Sequence, residues 1–308
     1  MAVVNTNISA SISQAALARN ERALEKAMEQ LSTGRKINTA ADNAAGLAIS
    51  TRMTTQIIGL EQSIQNANDA ISMLSTAEGA LDEVTNMLQR MRELAIQGAN
   101  GTTDAADRDY LNKEYQNLIS AIDRIATTTE WNGRTILDGT ANGAATYATG
   151  TSDVSYLIGK EASNTISVNF GNFTQAETTA GLAGGIMEAF NMASNSAGVT
   201  GSAMTIAAAN TAAALTVAGK ATAAIDSALS AIASQRATFG AATNQMIHTI
   251  DNLSNIVTNS EATRSRIMDT DYAEATSELA RTQIIQQAST AMLAQANQLP
   301  STVLRLLE

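Results

Sequence analysis

Two places in the sequence hold residue types that could do chemistry, and the first is LSTGRKINTAADNAAGLAIS (31–50). It contains two glycines, the basic pair Arg35 and Lys36, and an Asn and an Asp, which is a composition that enzymes use to hold phosphate. The GxxxxGK[ST] spacing and a preceding strand are both missing, so a phosphate loop is not favoured. The stretch fits better as a joint between two helical regions, because glycine suits a helix C-cap and Asn and Asp suit turns and N-caps. The residues assigned to this joint are Gly34, Asn38, Asp42 and Gly46.

The second place is His248, the single histidine of the chain. A general base needs a nucleophile and an orienting partner, and a metal site needs further ligands. The sequence has no HExxH motif and no Cys, so it lacks the residues for zinc-dependent proteolysis, thiolate chemistry or disulfides. We therefore predict a protein that is not an enzyme, with no catalytic residues, no metal and no cofactor.

The composition indicates long helices packed side by side. Aromatic residues make up 3% of the 308 residues and there is one Pro, whereas Ala, Leu, Ile and Met suit helix packing. The formal net charge of −10 argues against nucleic-acid binding. No apolar run reaches membrane-spanning length, and the first residues, MAVVNTNISAS, lack the features of a cleavable secretory signal. Composition alone would suggest a cytoplasmic protein.

Two stretches far apart in sequence carry a coiled-coil seam, with apolar residues alternating at steps of three and four. The first runs from Ile57 to Ala95 with a phase slip near Ala77, and the second runs from Ile225 to Val257. We expect these two helices to pack against each other, with a further helix at about 104–126. Turn dipeptides and alternating apolar residues predict β-hairpins within 131–172. Residues 173–222 are rich in Ala, Thr, Ser and Gly, and we expect them to form a surface insertion, partly helical near 186–192.

Both ends of the chain are predicted to be amphipathic helices with few charges, which need a partner to bury their apolar faces. The predicted fold class is mainly α: an elongated, antiparallel, coiled-coil-like helical bundle folded back on itself. A small β-hairpin region and a short variable insertion complete it. The expected domains are 1–40 with 268–308 as terminal helices, 41–172 with 223–267 as a helical rod, and 173–222 as the insertion.

Several long segments resemble the bacterial flagellins, the subunits of the flagellar filament. They are the opening MAVVNTNISA, the joint at 31–50, LQRMRELAIQGAN (88–100), NGRTILDG (132–139) and SRIMDTDYAEATSELARTQIIQQASTAMLAQANQLP (265–300). The resemblance covers about residues 1–140 and 225–308, in the family's order. The hook–filament junction protein shares the terminal helices, but its joint typically carries Pro where this chain has AADNAAG.

The resemblance implies a structural subunit that polymerises into the filament used for motility, with terminal helices that become ordered on assembly. The expected partners are other copies of the chain, an export chaperone at the C-terminal helix, the filament cap and hook-junction proteins, and a vertebrate Toll-like receptor. Nucleic acid and membrane insertion are not expected. Secretion through the flagellar type III apparatus to the extracellular filament, without a cleavable signal, replaces the cytoplasmic location. The alternatives are a hook–filament junction protein and a discrete coiled-coil binding module.

The resemblance also assigns residues to roles. The terminal apolar residues would form the assembly core: Ile8, Ile12, Leu24, Leu31, Ile284, Ile285, Met292, Leu293, Leu299, Val303 and Leu304. A second group would make filament contacts and be recognised by the receptor: Gln89, Arg90, Arg92, Glu93, Leu94, Gln97 and Glu114. Without the resemblance, the second group would be interpreted as a solvated helix face with local ion pairs.

Overall fold

The computed structural model describes residues 7–139, 141, 153–161, 163–174 and 211–307, most of which are helical. The helices in this part of the chain are α1 (Ile8–Thr33), α2 (Ala40–Ala99), α3 (Ala105–Thr128), α4 (Thr211–Met268) and α5 (Tyr272–Leu307). The strands are β1 (Glu130–Trp131), β2 (Arg134–Thr135), β3 (Asp153–Leu157) and β4 (Thr165–Asn169). The predicted fold class, mainly α with small hairpins, is confirmed.

The chain divides into two compact units, with boundaries between residues 58 and 59 and between residues 255 and 256. The first unit holds the two ends of the chain, including α1, α5 and the nearby ends of α2 and α4. The second unit holds the remaining parts of α2 and α4 together with α3 and the four strands.

The core of the second unit is built from the two predicted seams and from α3. Its fully buried side chains include Leu74, Leu81, Leu88 and Met91 on α2, Tyr115 and Ile122 on α3, and Ile225, Phe239 and Met246 on α4. Their spacing of three and four, or of seven, keeps each set on one face of its helix. The prediction that the two distant seams pack against each other is confirmed.

The strands form two antiparallel hairpins on this core, in the region where the sequence predicts them. Asn132 and Gly133 connect β1 and β2 with positive φ angles of 50° and 74°, the conformation that an Asn-Gly hairpin turn requires. In the second hairpin Val154 pairs with Val168. Directly after β4, the ring of Phe170 packs 5.2 Å from that of Phe239, which fixes the hairpin to α4.

Helix α4 begins at Thr211, whereas the apolar pattern predicts its start near residue 223. The extra turns are TAAALTVAGKAT, in which alanine provides helix propensity without the periodic large side chains that a seam requires. The rest of the predicted insertion, residues 175–210 with the expected helix near 186–192, lies outside the described residues. None of the helices in the described part of the chain combines the length and hydropathy of a membrane span.

Candidate assembly interface

Helices α1 and α5 pack as an antiparallel pair through small and polar side chains. Ala27, Ala275 and Ala296 are buried between them. The buried side-chain amide of Asn20 donates a 2.8 Å hydrogen bond to the carbonyl oxygen of Thr282. Asn7 makes the same kind of bond, also 2.8 Å long, to the carbonyl oxygen of Ala296. Small side chains let the helices approach closely, and the two amides set the alignment of one helix along the other.

The large apolar side chains of this pair lie largely outside the contact. On α1 and α5, Ile12 is 65% exposed, Ile284 66% and Met292 63%, and Ile8 and Ile285 are also exposed. Among the other residues assigned to the assembly core, Leu24, Leu31 and Leu293 are half-buried. Leu299, Val303 and Leu304 lie on α5, and their side chains are outside the described part of the structure. The described pair therefore presents an apolar surface to solvent.

Helix α1 ends within the joint at 31–50, with Thr33 as its last residue and Gly34 as its C-cap. Gly34 adopts the left-handed conformation with φ 68°, and its N–H donates to the carbonyl oxygen of Gln30, as a C-cap glycine does. Two backbone hydrogen bonds then tie this connector to the one between α4 and α5. The Lys36 N–H donates a 2.6 Å hydrogen bond to the carbonyl oxygen of Met268. The Thr270 N–H donates a 3.0 Å hydrogen bond to the carbonyl oxygen of Gly34. The sequence offers no signal for this pairing, because backbone groups carry no residue-specific pattern.

Asp42 holds the joint together with its carboxylate. The carboxylate accepts hydrogen bonds from the backbone N–H groups of Asn38 and Thr39, at 3.3 Å and 3.0 Å. It also forms a 2.9 Å salt bridge with Lys26 of α1. The hydrogen bond from the Lys26 ammonium group, followed by that from the Thr39 N–H, holds the pKa of Asp42 well below its usual range. The carboxylate thus links α1 to the start of α2, a role for Lys26 that the sequence does not suggest.

Helix α2 is interrupted at Asn43, which is the N-cap of the long part of the helix that follows. Its backbone is non-helical (φ −164°, ψ 96°), and its side-chain oxygen accepts a 2.8 Å hydrogen bond from the Gly46 N–H. Gly46 is buried, and a Cβ there would lie 2.6 Å from Cδ1 of the buried Ile37. The signal for Asn43 was present in the sequence, since an Asn precedes the long helix directly, but Asp42 next to it is an equally good capping residue.

Most of the second group of assigned residues lies on the exposed side of α2 in the second unit, whereas Glu114 lies on α3 and Leu94 is buried. The Arg90 guanidinium makes two 2.9 Å salt bridges, to Glu93 on its own helix and to Glu114 on α3. These carboxylates raise the pKa of Arg90, with the hydrogen bond that the guanidinium donates to Glu114 as the main cause. Arg92 reaches the other way and makes a 3.0 Å salt bridge to Asp226 on α4. The two arginines thus cross-link α2 to both neighbouring helices.

The α2 ridge is the surface between these two arginines, with Gln89, Glu93 and Gln97 exposed along it. Leu94, assigned to the same group, is fully buried in the core. In the isolated subunit Leu94 therefore supports the ridge from beneath, and its side chain does not reach the surface. His248 is an exposed residue of α4, and the described residues contain no group of three or more His, Asp or Glu that could hold a metal ion.

Comparison with known proteins identifies the family. The model of the bacterial flagellin N-terminal helical region matches residues 4–142, and that of the C-terminal helical region matches residues 222–307. A flagellin of Halalkalibacterium halodurans is 40% identical over 305 residues, and one of Bacillus subtilis is 42% identical over 307 residues. Each match covers 99% of both chains. The chain belongs to the bacterial flagellin family.

The membership makes the chain a structural subunit of the flagellar filament and not an enzyme. The hook–filament junction protein is not favoured, because these whole-length relatives are flagellins. Among solved structures, the crystal structure of Bacillus cereus flagellin matches with 30% identity and a TM-score of 0.44. That match covers 61% of this chain and 88% of the other.

Proposed function

We propose that the exposed apolar surface of α1 and α5 is the surface through which copies of this chain associate in the filament. The observation that carries the proposal is the exposure of Ile12, Ile284 and Met292 on helices whose buried contact residues are small or short and polar. Fully burying one such side chain is worth about 1.5–3 kcal/mol. Contacts repeated by one screw operation generate an open helical polymer, which is the form that a filament subunit needs.

The same exposure supports ordering of the terminal helices on assembly. Within the terminal segments 1–40 and 268–308, the described parts of α1 and α5 gain little from their own contact, because alanine side chains remove little apolar area from water. Segments that bury too little surface to offset their conformational entropy fold when a partner provides the missing contacts. We therefore assign the folding of these helices to the moment of incorporation.

Seeded polymerisation of a polar variant tests this proposal. Ile12→Ser combined with Ile284→Ser removes two exposed side chains of the surface without touching the buried amides. We expect the variant subunit to remain soluble and to fail to extend short filament seeds under electron microscopy, with no rise in helicity by circular dichroism. Leu215→Ser is a matched control, because Leu215 is also 65% exposed but lies near the start of α4. Extension of seeds by the double variant at the wild-type rate would exclude this surface.

The α2 ridge supports a second proposal, in which Gln89, Arg90, Arg92, Glu93, Gln97 and Glu114 make lateral contacts between subunits and are recognised by a vertebrate Toll-like receptor. The supporting observation is that charged groups of both signs lie exposed along one ridge, where each exposed pair can exchange partners at little loss of free energy. Leu94 enters this proposal only by supporting the ridge.

Arg90→Ala tests the ridge in two assays, filament extension and receptor-dependent signalling in reporter cells. We expect both to weaken, because Glu93 and Glu114 lose their shared cation. Lys160→Ala is the control, since Lys160 is a similarly exposed cation after β3. A ridge variant that behaves like this control in both assays would overturn both roles.

The C-terminal helix also carries a proposal about export. Ile284, Ile285 and Met292 give α5 an exposed apolar face, which is the form that binds in the groove of a helix-binding chaperone. We therefore place the export chaperone on this helix, in the stretch from about residue 279 to 307. Export without a cleavable signal, and contacts with the filament cap and hook-junction proteins, follow from family membership as further proposals.

A further inference from the structure

Five of the described methionines lie at the two extremes of exposure, and the other three, Met53, Met87 and Met268, are half-buried. Met91 and Met246 are fully buried in the core of the second unit, and Met73 is 5% exposed and accepts a hydrogen bond from the Tyr156 hydroxyl. Met28 on α1 is 55% exposed, and Met292 on α5 is 63% exposed. Both exposed thioethers therefore belong to the helix pair that forms the proposed assembly surface.

Met292 is part of the apolar surface itself. It lies seven residues after Ile285, so the two exposed side chains share one face of α5. Met28 is one residue after Ala27, which is buried against α5, and so lies at the edge of the α1–α5 contact. A change of polarity at either sulfur would therefore alter a surface that other contacts of the pair do not shield.

We propose that Met28 and Met292 are oxidation sites that make assembly of the subunit sensitive to peroxides. The step is a two-electron oxidation in which the thioether sulfur attacks one peroxide oxygen and the O–O bond breaks. With hydrogen peroxide, the hydroxide released when the O–O bond breaks takes the proton of the transferred oxygen and leaves as water. The sulfur keeps the S=O bond and has lost two electrons. The product replaces a flexible apolar group by a polar one, which disrupts apolar interfaces.

The direction of the effect depends on the assembly state, and in this respect the inference rests on the proposed function. In the free subunit both methionine residues are more than half exposed, which opens their thioethers to attack by peroxide. In the filament the same surface is covered by neighbouring copies, so the sulfurs are protected and only subunits awaiting incorporation are inactivated. Because sulfoxides are reduced by methionine sulfoxide reductases, the loss of assembly is reversible.

Peptide mapping by mass spectrometry tests the site assignment. Free subunits and sheared filaments are treated with the same dose of hydrogen peroxide, and the sulfoxide fraction is measured at each methionine. In free subunits we expect oxidation of Met28 and Met292 to be about tenfold faster than that of Met73, Met91 and Met246, since susceptibility follows exposure. In filaments we expect the rates at Met28 and Met292 to fall to the buried level. Equal rates at all five residues in free subunits would overturn the assignment.

Polymerisation of treated subunits tests the consequence. Peroxide-treated wild-type subunits should extend seeds more slowly, and reductase treatment should restore the rate. The variant with Met28→Leu and Met292→Leu keeps side-chain volume and helix propensity, so it should polymerise normally before and after peroxide. Met246→Leu is the control and should remain sensitive. If wild-type subunits carrying both sulfoxides polymerise at full rate, the inference is wrong.

Experiment can reject the proposed assembly surface and the oxidation of Met28 and Met292 separately. If Ile12→Ser with Ile284→Ser does not affect seed extension, the proposed assembly surface fails whatever peroxide does. If that variant is blocked while oxidised wild-type subunits assemble normally, the surface stands and the oxidation inference alone is rejected.

Discussion

The two units of this subunit differ in the kind of side chain that they bury. In the second unit, Leu81, Leu88 and Phe239 are buried, and Arg108 is the one long charged side chain buried with them among the described residues. In the α1–α5 pair, among the side chains that the structure describes, the buried positions hold alanines and short polar residues, while isoleucines and two methionines are exposed. The second unit thus buries large apolar side chains within a single copy, whereas the terminal pair leaves several of its largest apolar side chains exposed.

The largest expected effect is a difference in stability between buried and exposed positions. Leu88→Ala should lower the free energy of unfolding of the second unit by about 2–5 kcal/mol, because it removes buried methyl groups and leaves a cavity. Ile284→Ala, at an exposed position of the first unit, should change the free energy of unfolding by less than about 0.5 kcal/mol. Fluorescence of the only tryptophan, Trp131, which packs on this core, reports the midpoint in denaturant. Similar shifts for the two variants would contradict the comparison.

An intermediate effect is expected where the joint is as tightly packed as a core. Gly46→Ala places a methyl group 2.6 Å from Ile37 Cδ1 and 3.0 Å from Asn43 Nδ2, and such overpacking costs about 1–3 kcal/mol. Gly59→Ala is the matched control on the same helix, because its Cβ meets nothing within 4 Å. It should stabilise α2 by up to about 1 kcal/mol. Hydrogen exchange of residues 37–46 measures the first change, and unaltered protection there would refute it.

The smallest effect is a local dependence on pH at the joint. Because the folded-state pKa of Asp42 is lowered, its stabilising contribution is complete above the unfolded pKa of about 3.9 and is lost as the pH falls through the lowered value. The amides of Asn38 and Thr39, which donate to this carboxylate, should lose protection from hydrogen exchange on acidification. In the Asp42→Asn variant these two amides should be less protected from exchange at neutral pH, and their protection should not change on acidification. If the variant and the wild type are equally protected at neutral pH, the carboxylate does not stabilise the joint.

The sequence predicted those parts of the structure that depend on a repeated pattern. The two seams of α2 and α4 follow from apolar spacing alone, and the β1–β2 turn follows from Asn-Gly, because each pattern permits few other conformations. The early start of α4 at Thr211 was not predicted, since alanine-rich turns have helix propensity but no periodic face.

The details of the candidate site were less accessible from the sequence. The pairing of Lys36 with Met268 uses backbone atoms of residues far apart in the chain, so residue types hold no trace of it. The choice between Asp42 and Asn43 as the helix cap depends on Lys26, which attracts the carboxylate and leaves the cap to the neutral amide. The exposure of Ile12 and Ile284 was expressed in the sequence only as an excess of apolar residues at the two ends.

The Asn20 amide has a consequence beyond the single subunit. Sliding α1 along α5 by half a turn, about 2.7 Å, would move the buried amide away from the Thr282 carbonyl and leave a polar group without a partner. Asn20 therefore favours alignments of the two helices in which its amide meets a carbonyl of α5 and disfavours those in between. In the proposed assembly, copies that share the observed alignment present their exposed apolar side chains at the same heights along the two helices.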